Sequence, residues 1–162
     1  MAELMEKLDG AQGFRLIHAA GKLYYPRLTE RFRGRDLPQA GVEIREYIHN
    51  MPELMAAADL ILCRAGASTI SELSYMGKPV VMVPSPNVTN NHQEKNARVL
   101  EHAGGAKVLL EGEFDADSLL KLINELLADP AQLRKMGEAM RSLAVRDSCE
   151  RIVSVILDTC GK

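Results

Sequence analysis

Residues 59–77 have the sequence DLILCRAGASTISELSYMG. Residues 60–63 form a short apolar run, which predicts a parallel strand that is covered on both faces. Small residues follow, and Ser68 or Thr69 is a suitable N-cap for a helix. Glu72 lies three residues after Thr69, at the spacing of a capping box. The stretch therefore predicts a buried strand, a tight turn and a helix.

This arrangement is typical of an anion-binding site. A helix that begins at the carboxyl end of a parallel strand directs its free N–H groups into the crevice where α/β proteins bind ligands. Small residues let a phosphate approach those groups, and the helix dipole favours negative charge there. Glu72, about one turn into the helix, could accept hydrogen bonds from ribose hydroxyls. The residues alone leave a second interpretation open, in which the strand and helix only pack together and Glu72 is the capping partner of Thr69.

Composition and charge exclude several classes of protein. The chain has 162 residues, which is the length of one domain, and 46% of them are hydrophobic. A net charge of −2 and a pI of about 6.1 argue against nucleic-acid binding. The odd number of cysteines argues against a disulfide framework, so a reducing, cytoplasmic location is expected. The longest apolar runs fall well short of the roughly 18 residues of a membrane span. The cysteines are Cys63, Cys149 and Cys160.

A local excess of positive charge lies at residues 22–35. We interpret it as a solvated helix face and the loop that follows. An anionic membrane surface or a partner domain is the alternative. The basic residues are Lys22, Arg27, Arg31, Arg33 and Arg35.

Strands and helices alternate along the chain, which predicts a single α/β domain over residues 1–162 with a Rossmann-like, doubly wound parallel sheet. Such a domain usually opens with a strand and a glycine-rich turn, whereas this chain opens with a helix. Either the fold starts differently or the first strand is missing, and we expect the latter. Helices are predicted over 2–9, 22–33, 52–58, 68–76, 91–103, 116–128, 131–145 and 147–160, and strands over 14–19, 42–48, 59–64, 79–83 and 106–110.

A second candidate site is the segment PSPNVTNNHQEKNAR at residues 84–98, which follows another apolar strand. Parallel strands end at the same edge of a sheet, so this segment is expected beside the first site. Its amides can donate and accept hydrogen bonds at once, which suits the hydroxyls of a sugar. His92 and Asn96 share a helix face, with Gln93 next to His92. The alternative is a capped helix with a polar first turn.

The sequence predicts no catalytic group and no metal site. His18 and His102 are expected to be structural, and so, with less support, is His49. A metal bound by His49 and His92 would need carboxylate or thiol partners that the sequence does not place. No Ser/His/Asp or Cys/His arrangement has a recognisable local context.

Four separate motifs, in order, resemble the MurG family of bacterial peptidoglycan GlcNAc transferases. They are EYIHNMP at 46–52, AADL at 57–60, CRAGASTISEL at 63–73 and NNHQEKNA at 90–97. The resemblance covers about residues 14–160. It implies the C-terminal half of a GT-B glycosyltransferase, an architecture of two Rossmann-like domains with the active cleft between them.

The resemblance also implies a ligand, UDP-GlcNAc, bound without a metal or other cofactor. Its contacts would be the backbone of Ile48 at uracil, Arg64 on the nucleotide side, Ser68 and Thr69 at the diphosphate, Glu72 at the ribose, and Ala67, His92, Gln93 and Asn96 around the GlcNAc.

Two parts of the family pattern are absent from this sequence. The family's C-terminal domain begins with a strand and a Gly-Gly-Ser-x-Gly-Ala loop that touches the donor diphosphate. The N-terminal acceptor domain, with its catalytic base, is absent as well. We therefore expect the donor-binding half of an enzyme that converts lipid I to lipid II, inactive by itself. The full enzyme would be peripheral on the inner face of the cell membrane.

Three other interpretations stay open from the sequence. The chain could be the donor-binding subunit of a split lipid-linked-oligosaccharide GlcNAc transferase. It could be similar to a UDP-GlcNAc 2-epimerase, although acid and base groups facing the donor are not obvious. It could also be a nucleotide-binding module without catalysis.

Overall fold

Helices and parallel strands alternate through the computed structural model, which describes residues 1–161. The α/β class with parallel sheets is thereby confirmed. In chain order the elements are α1 (Ala2–Lys7), β1 (Leu16–Ala19), α2 (Gly21–Arg31), β2 (Val42–Arg45), α3 (Met51–Ala57), β3 (Ile61–Cys63), α4 (Ala67–Met76), β4 (Val80–Met82), a 3-10 turn (Thr89–Asn91), α5 (His92–His102), β5 (Ala106–Val108), α6 (Ala116–Leu127), α7 (Pro130–Ser142) and α8 (Ser148–Cys160).

The contacts within the chain group it into two compact units. The first unit comprises Met1–Ala57 with Gly112–Asp129, and the second comprises Ala58–Glu111 with Pro130–Lys162. The assignment of residues 1–162 to a single domain stays a prediction.

The first unit is built on the parallel pair β1–β2, in which Leu16 lies opposite Val42. Apolar side chains from α1, from the end of α2 and from β2 form its core. Met5, Leu8 and Val42 are almost fully buried, and Phe32 packs with them. The N-terminal helix therefore belongs to the core of this unit.

The second unit is built on a three-stranded parallel sheet in the order β3–β4–β5. All three residues of β4 are fully buried. The strand β3 was expected to be covered on both faces, and this expectation is wrong. Its residues are only half-buried, because β3 lies at the edge of this sheet.

The helix α4 ends as the sequence predicts and begins differently. Gly77 has a left-handed φ of 66°, and Lys78 N–H donates to Leu73 O at 3.0 Å, which completes a Schellman ending. At the other end the N-cap is Gly66, so the predicted capping by Ser68 or Thr69 is wrong. Both residues lie inside the first turn.

The basic segment after β1 is engaged within its own unit. Arg31 donates to both carboxylate oxygens of Glu6, at 2.7 and 3.0 Å. Arg33 pairs with Glu30, and Arg35 donates to Leu8 O. These contacts favour the interpretation of a solvated helix face and loop.

The helix α8 exposes a row of apolar side chains, among them Ile152, Val155 and Leu157. Among residues 1–161, however, every helix is too short or too polar to cross a membrane.

Gly77, which ends α4, lies very close to Gly137 on α7. A Cβ added to Gly137 would lie 2.6 Å from Gly77 O, which is too close for a real contact. Arg141, one turn further along α7, donates to Met76 O at 3.2 Å. The end of α4 is therefore held by α7.

The first prediction concerns Gly137→Ala. On helix propensity alone, alanine would stabilise α7 by about 1 kcal/mol. The clash with the backbone of Gly77 reverses the sign, and we expect a loss of about 1–3 kcal/mol in the free energy of unfolding. Urea denaturation followed by circular dichroism measures it. The control is Glu138→Ala at the next, exposed position of the same helix. A stabilised Gly137→Ala variant would contradict the close contact.

Candidate functional site

Three strand ends open at one edge of the sheet in the second unit. Cys63 on β3 lies opposite Met82 on β4, and Met82 lies opposite Val108 on β5. Because the strands are parallel and in register, the residues that follow them meet at this edge. They are Arg64 after β3, Val83 and Pro84 after β4, and Leu109 to Glu111 after β5.

The N-terminus of α4 lies directly after β3. Ile70 N–H makes the first helical hydrogen bond, to Gly66 O at 3.0 Å. The amides of Ala67, Ser68 and Thr69 precede it, so the helix itself does not use them. Ala67 and Ser68 are exposed at this turn, and Thr69 is half-buried. The three amides form a place where an anion can accept hydrogen bonds.

Glu72 lies on α4 about one turn beyond those amides and is exposed. With Thr69 inside the first turn, the capping-box role has no structural basis. The carboxylate is therefore available to accept hydrogen bonds from a ligand that is bound at the helix N-terminus.

The segment before α5 has an unusual backbone. Asn90 and Asn91 both adopt left-handed conformations, with φ of 55° and 51°. The left-handed region costs an L-residue roughly 1 kcal/mol or more, and asparagine tolerates it best after glycine. The Nδ1 atom of His92 lies 2.9 Å from Thr89 O, and Asn91 donates to Glu94 at 2.5 Å. Backbone strain of this kind is concentrated at functional sites.

Gln93 on α5 forms a hydrogen bond with the loop after β4. Ser85 N–H donates to Gln93 Oε1 at 2.9 Å. An N–H group only donates, so the amide oxygen of Gln93 must face the loop, and its Nε2 group points its two hydrogens elsewhere. The predicted sugar-binding residue thus has a fixed orientation.

Asn96 joins the two predicted sites. Its Nδ2 group donates to Ala65 O at 3.3 Å, across the turn between β3 and α4. The structure therefore brings the start of α5 beside the N-terminus of α4, as the sequence predicted from the shared sheet edge.

Arg64 is engaged with neighbouring loops. Its Nη1 donates to Val83 O at 3.0 Å and to Pro84 O at 3.3 Å, and its Nη2 donates to Glu111 at 2.5 Å. Sequence reasoning missed Glu111. Glu111 lies three residues after the third strand of the sheet, and the available signal was the parallel topology, which places it at the same edge as Arg64.

Ile48 belongs to the first unit. It follows β2 and is 5% exposed, with exposed Tyr47 and His49 on either side. The rings of these two neighbours meet edge to face, with centroids 4.9 Å apart. The contact of the Ile48 backbone with a uracil stays a prediction.

The remaining histidine and metal predictions can be placed briefly. Burial on β1 lowers the pKa of His18, which agrees with a structural histidine. Within residues 1–161, the His, Cys, Asp and Glu side chains form no group of three that could hold a metal ion.

The fold is that of one domain of the GT-B glycosyltransferases. The structure superposes on the crystal structure of Acinetobacter baumannii MurG with a TM-score of 0.80 and 26% identity, over 96% of this chain and 46% of that one. The glycosyltransferase VinC, solved with dTDP, shares the fold alone, with a TM-score of 0.69 and 16% identity over 95% of this chain and 37% of that one.

The family follows from the sequence comparison. The glycosyltransferase family 28 C-terminal domain matches residues 1–152, and this chain belongs to that family. It is 40% identical, over 91% of its length, to a UDP-N-acetylglucosamine--N-acetylmuramyl-(pentapeptide) pyrophosphoryl-undecaprenol N-acetylglucosamine transferase of Bacillus cereus. Its identity to the Acetivibrio thermocellus enzyme of that name is also 40%, over 98% of its length. The chain spans 40% and 42% of these two relatives.

Cys63 provides a probe directly beside the site. It ends β3, next to Arg64, and burial raises the pKa of its thiol to about 11. Cys149 and Cys160 are exposed on α8. The Cys63 thiol therefore differs from the other two in accessibility.

The second prediction is that a thiol reagent at pH 8 modifies two cysteines quickly and the third slowly. A thiol with a pKa of about 11 is only about one part in a thousand thiolate at that pH. We expect Cys63 to react roughly a hundredfold more slowly, with a rate that rises tenfold per pH unit up to pH 10. Colorimetric thiol titration measures it. Cys63→Ser should remove only the slow phase, and three equal rates would refute the prediction.

Proposed function

We propose that this chain binds UDP-GlcNAc and supplies the donor half of an inverting glycosyltransferase. The full enzyme would transfer GlcNAc to the C4 hydroxyl of undecaprenyl-pyrophosphoryl-MurNAc-pentapeptide, the step from lipid I to lipid II in peptidoglycan synthesis. The names of relatives that are 40% identical support this reaction. The observation that carries the proposal is the meeting of two elements at one sheet edge, the open N-terminus of α4 and the polar start of α5, joined from Asn96 to Ala65.

The diphosphate, the ribose and the GlcNAc of the donor then each have a partner of suitable chemistry. The diphosphate accepts hydrogen bonds from the amides of residues 67–69 and lies at the positive end of the α4 dipole. Glu72 accepts from the ribose hydroxyls. Gln93 offers its Nε2 group to a sugar hydroxyl, and His92 lies beside it on α5.

The chemistry follows from where charge develops. The C4 oxygen of the acceptor attacks the anomeric carbon of GlcNAc with inversion, the bond to UDP breaks, and negative charge grows on the departing diphosphate. Amides that already point at this position stabilise the charge without reorganisation, so the proposal requires no metal or cofactor. The proton of the attacking hydroxyl needs a base, and we assign that base to the acceptor-binding N-terminal domain.

The expected partners follow from the assignment of donor binding to this chain and of acceptor binding to a separate domain. The acceptor is anchored in a membrane by its undecaprenyl chain, so the full enzyme is expected in the cytoplasm, peripheral on the inner face of the cell membrane. Nucleic acid is not a partner in this proposal. The required partner is the acceptor domain, either on the same polypeptide or on a second one.

The third prediction tests the donor site through Glu72→Ala. Loss of a carboxylate that accepts from two ribose hydroxyls should weaken UDP binding by about tenfold or more. Isothermal titration calorimetry with UDP measures the dissociation constant. Glu138→Ala on α7 removes an equivalent exposed charge and should leave it unchanged. If the wild-type chain binds neither UDP nor UDP-GlcNAc, this proposal fails.

The fourth prediction concerns turnover. The chain alone should transfer no GlcNAc to a lipid I analogue, because the base and the acceptor pocket lie outside it. Addition of the separately expressed N-terminal half of a full-length relative should restore transfer, followed by release of UDP. Release of ManNAc from UDP-GlcNAc by the chain alone would instead indicate an epimerase and would contradict the transferase.

A further inference from the structure

A continuous series of polar contacts runs along the carboxyl edge of the β3–β4–β5 sheet. It starts at Glu111 after β5, whose carboxylate accepts from Arg64 at 2.5 Å. Arg64 in turn donates to Val83 O and Pro84 O after β4. The next amide, Ser85 N–H, donates to Gln93 Oε1 on α5. The series therefore connects all three strand ends to the start of α5.

We propose that Glu111 is a positioning residue for the sugar of the donor, acting through Arg64 and the loop after β4 to orient Gln93. This inference rests on the proposed function, because it presumes that Gln93 addresses the sugar. It assigns to Arg64 a role beyond lining the nucleotide side, which is to hold the backbone from which Gln93 takes its orientation.

The geometry explains why an anionic partner is needed. A guanidinium presents its donors in a planar fork, so one side can serve two carbonyl oxygens while the other serves a carboxylate. Glu111 fixes the plane of that fork. Without it, Arg64 regains side-chain rotamers, and its bonds to the carbonyls of Val83 and Pro84 are made only part of the time.

The loop after β4 should become mobile when its hydrogen bonds to Arg64 are lost. It leads into Asn90 and Asn91, the two consecutive left-handed residues. Such a backbone persists only where its surroundings fix it. Loss of the restraint at Val83 and Pro84 would let the loop relax and would free the amide of Gln93 to rotate.

The groups on α4 that are proposed to bind the diphosphate and the ribose do not depend on this series. The first-turn amides of α4 are positioned by the helix and by its ending at Gly77, and Glu72 lies on the same helix. Asn96 keeps its own bond to Ala65 O. Loss of Glu111 should therefore weaken binding of UDP-GlcNAc and spare binding of UDP, a selectivity that general destabilisation would not produce.

The effect on global stability should be small. The side chains of Arg64 and Glu111 are 50% and 40% exposed, and ion pairs with this exposure contribute little to folding. A matched control exists in the same unit. Asp147 pairs with Arg151 at 2.9 Å on the exposed helix α8, so Asp147→Ala removes a comparable ion pair away from the strand ends.

The fifth prediction is measured by calorimetry on the 162-residue chain with UDP and with UDP-GlcNAc. Glu111→Ala should weaken UDP-GlcNAc binding on the order of tenfold and change UDP binding by less than about twofold. Glu111→Gln keeps an acceptor oxygen and should recover part of the loss. Arg64→Lys, which cannot form the fork, should also weaken UDP-GlcNAc binding, and adding Glu111→Ala to it should cause little further loss. Asp147→Ala should leave both affinities unchanged. If Glu111→Ala weakened the binding of UDP and of UDP-GlcNAc equally, or left the ratio of their dissociation constants unchanged, the inference would be overturned.

Hydrogen exchange separates this inference from the proposed function. Glu111→Ala should speed exchange of the Ser85 amide and of the amides at residues 87–91 in the ligand-free chain, while exchange on β4 and the melting temperature stay as in the wild type. Unchanged exchange at Ser85 overturns the inference whatever the binding data show. If the wild-type chain binds neither ligand, the proposed function fails, and the exchange result alone still decides whether Glu111 restrains the loop.

Discussion

The in-register pairing of β3, β4 and β5 is the constraint on which the rest of the site depends. Met82 is the common partner of Cys63 and Val108, so the residues after all three strands emerge at one level. A register shift of one residue would move a strand end by about 3.3 Å and turn its side chains to the opposite face. Arg64 could not then reach the carbonyls of Val83 and Pro84, and the turn before α4 would separate from Asn96. The complete burial of β4 protects this register.

The site combines an element fixed by the backbone with one fixed by side chains. On the α4 side, the amides hold their positions because helix geometry dictates them. On the α5 side, Gln93 holds its position only through hydrogen bonds to a loop that contains two left-handed residues. Most sugar nucleotides share a diphosphate and differ in the sugar. In the proposed complex with UDP-GlcNAc, the side of the site that is fixed by side chains therefore faces the part of the ligand that varies.

Sequence patterns predicted the order and type of the elements, and the shared sheet edge, because strand periodicity, helix endings and parallel topology are local or general properties. The sequence patterns did not predict which of several suitable neighbouring residues takes a role, or which residues far apart in the sequence come into contact. Ser68, Thr69 and Gly66 are all acceptable N-caps, and only the extended backbone at Gly66 decides among them. The half-burial of β3 depends on its place in the sheet. The contact between Arg64 and Glu111 spans 47 residues and has no local signal. The donor contacts of the nine site residues, Ile48 in the first unit included, stay predictions.

The close approach of Gly137 to Gly77 fixes the position of the C-terminal end of α4, which is the end opposite the proposed ligand site. Ten residues of helix are about 15 Å long, so a tilt imposed at Gly77 is carried as a rigid-body displacement to the first-turn amides. A side chain at position 137 would therefore displace the first-turn amides of α4 and alter ligand binding without contacting the ligand. In a genetic screen for altered sugar-nucleotide recognition, substitutions at this glycine should be recovered with those at the binding surface, although the residue lies a full helix length away.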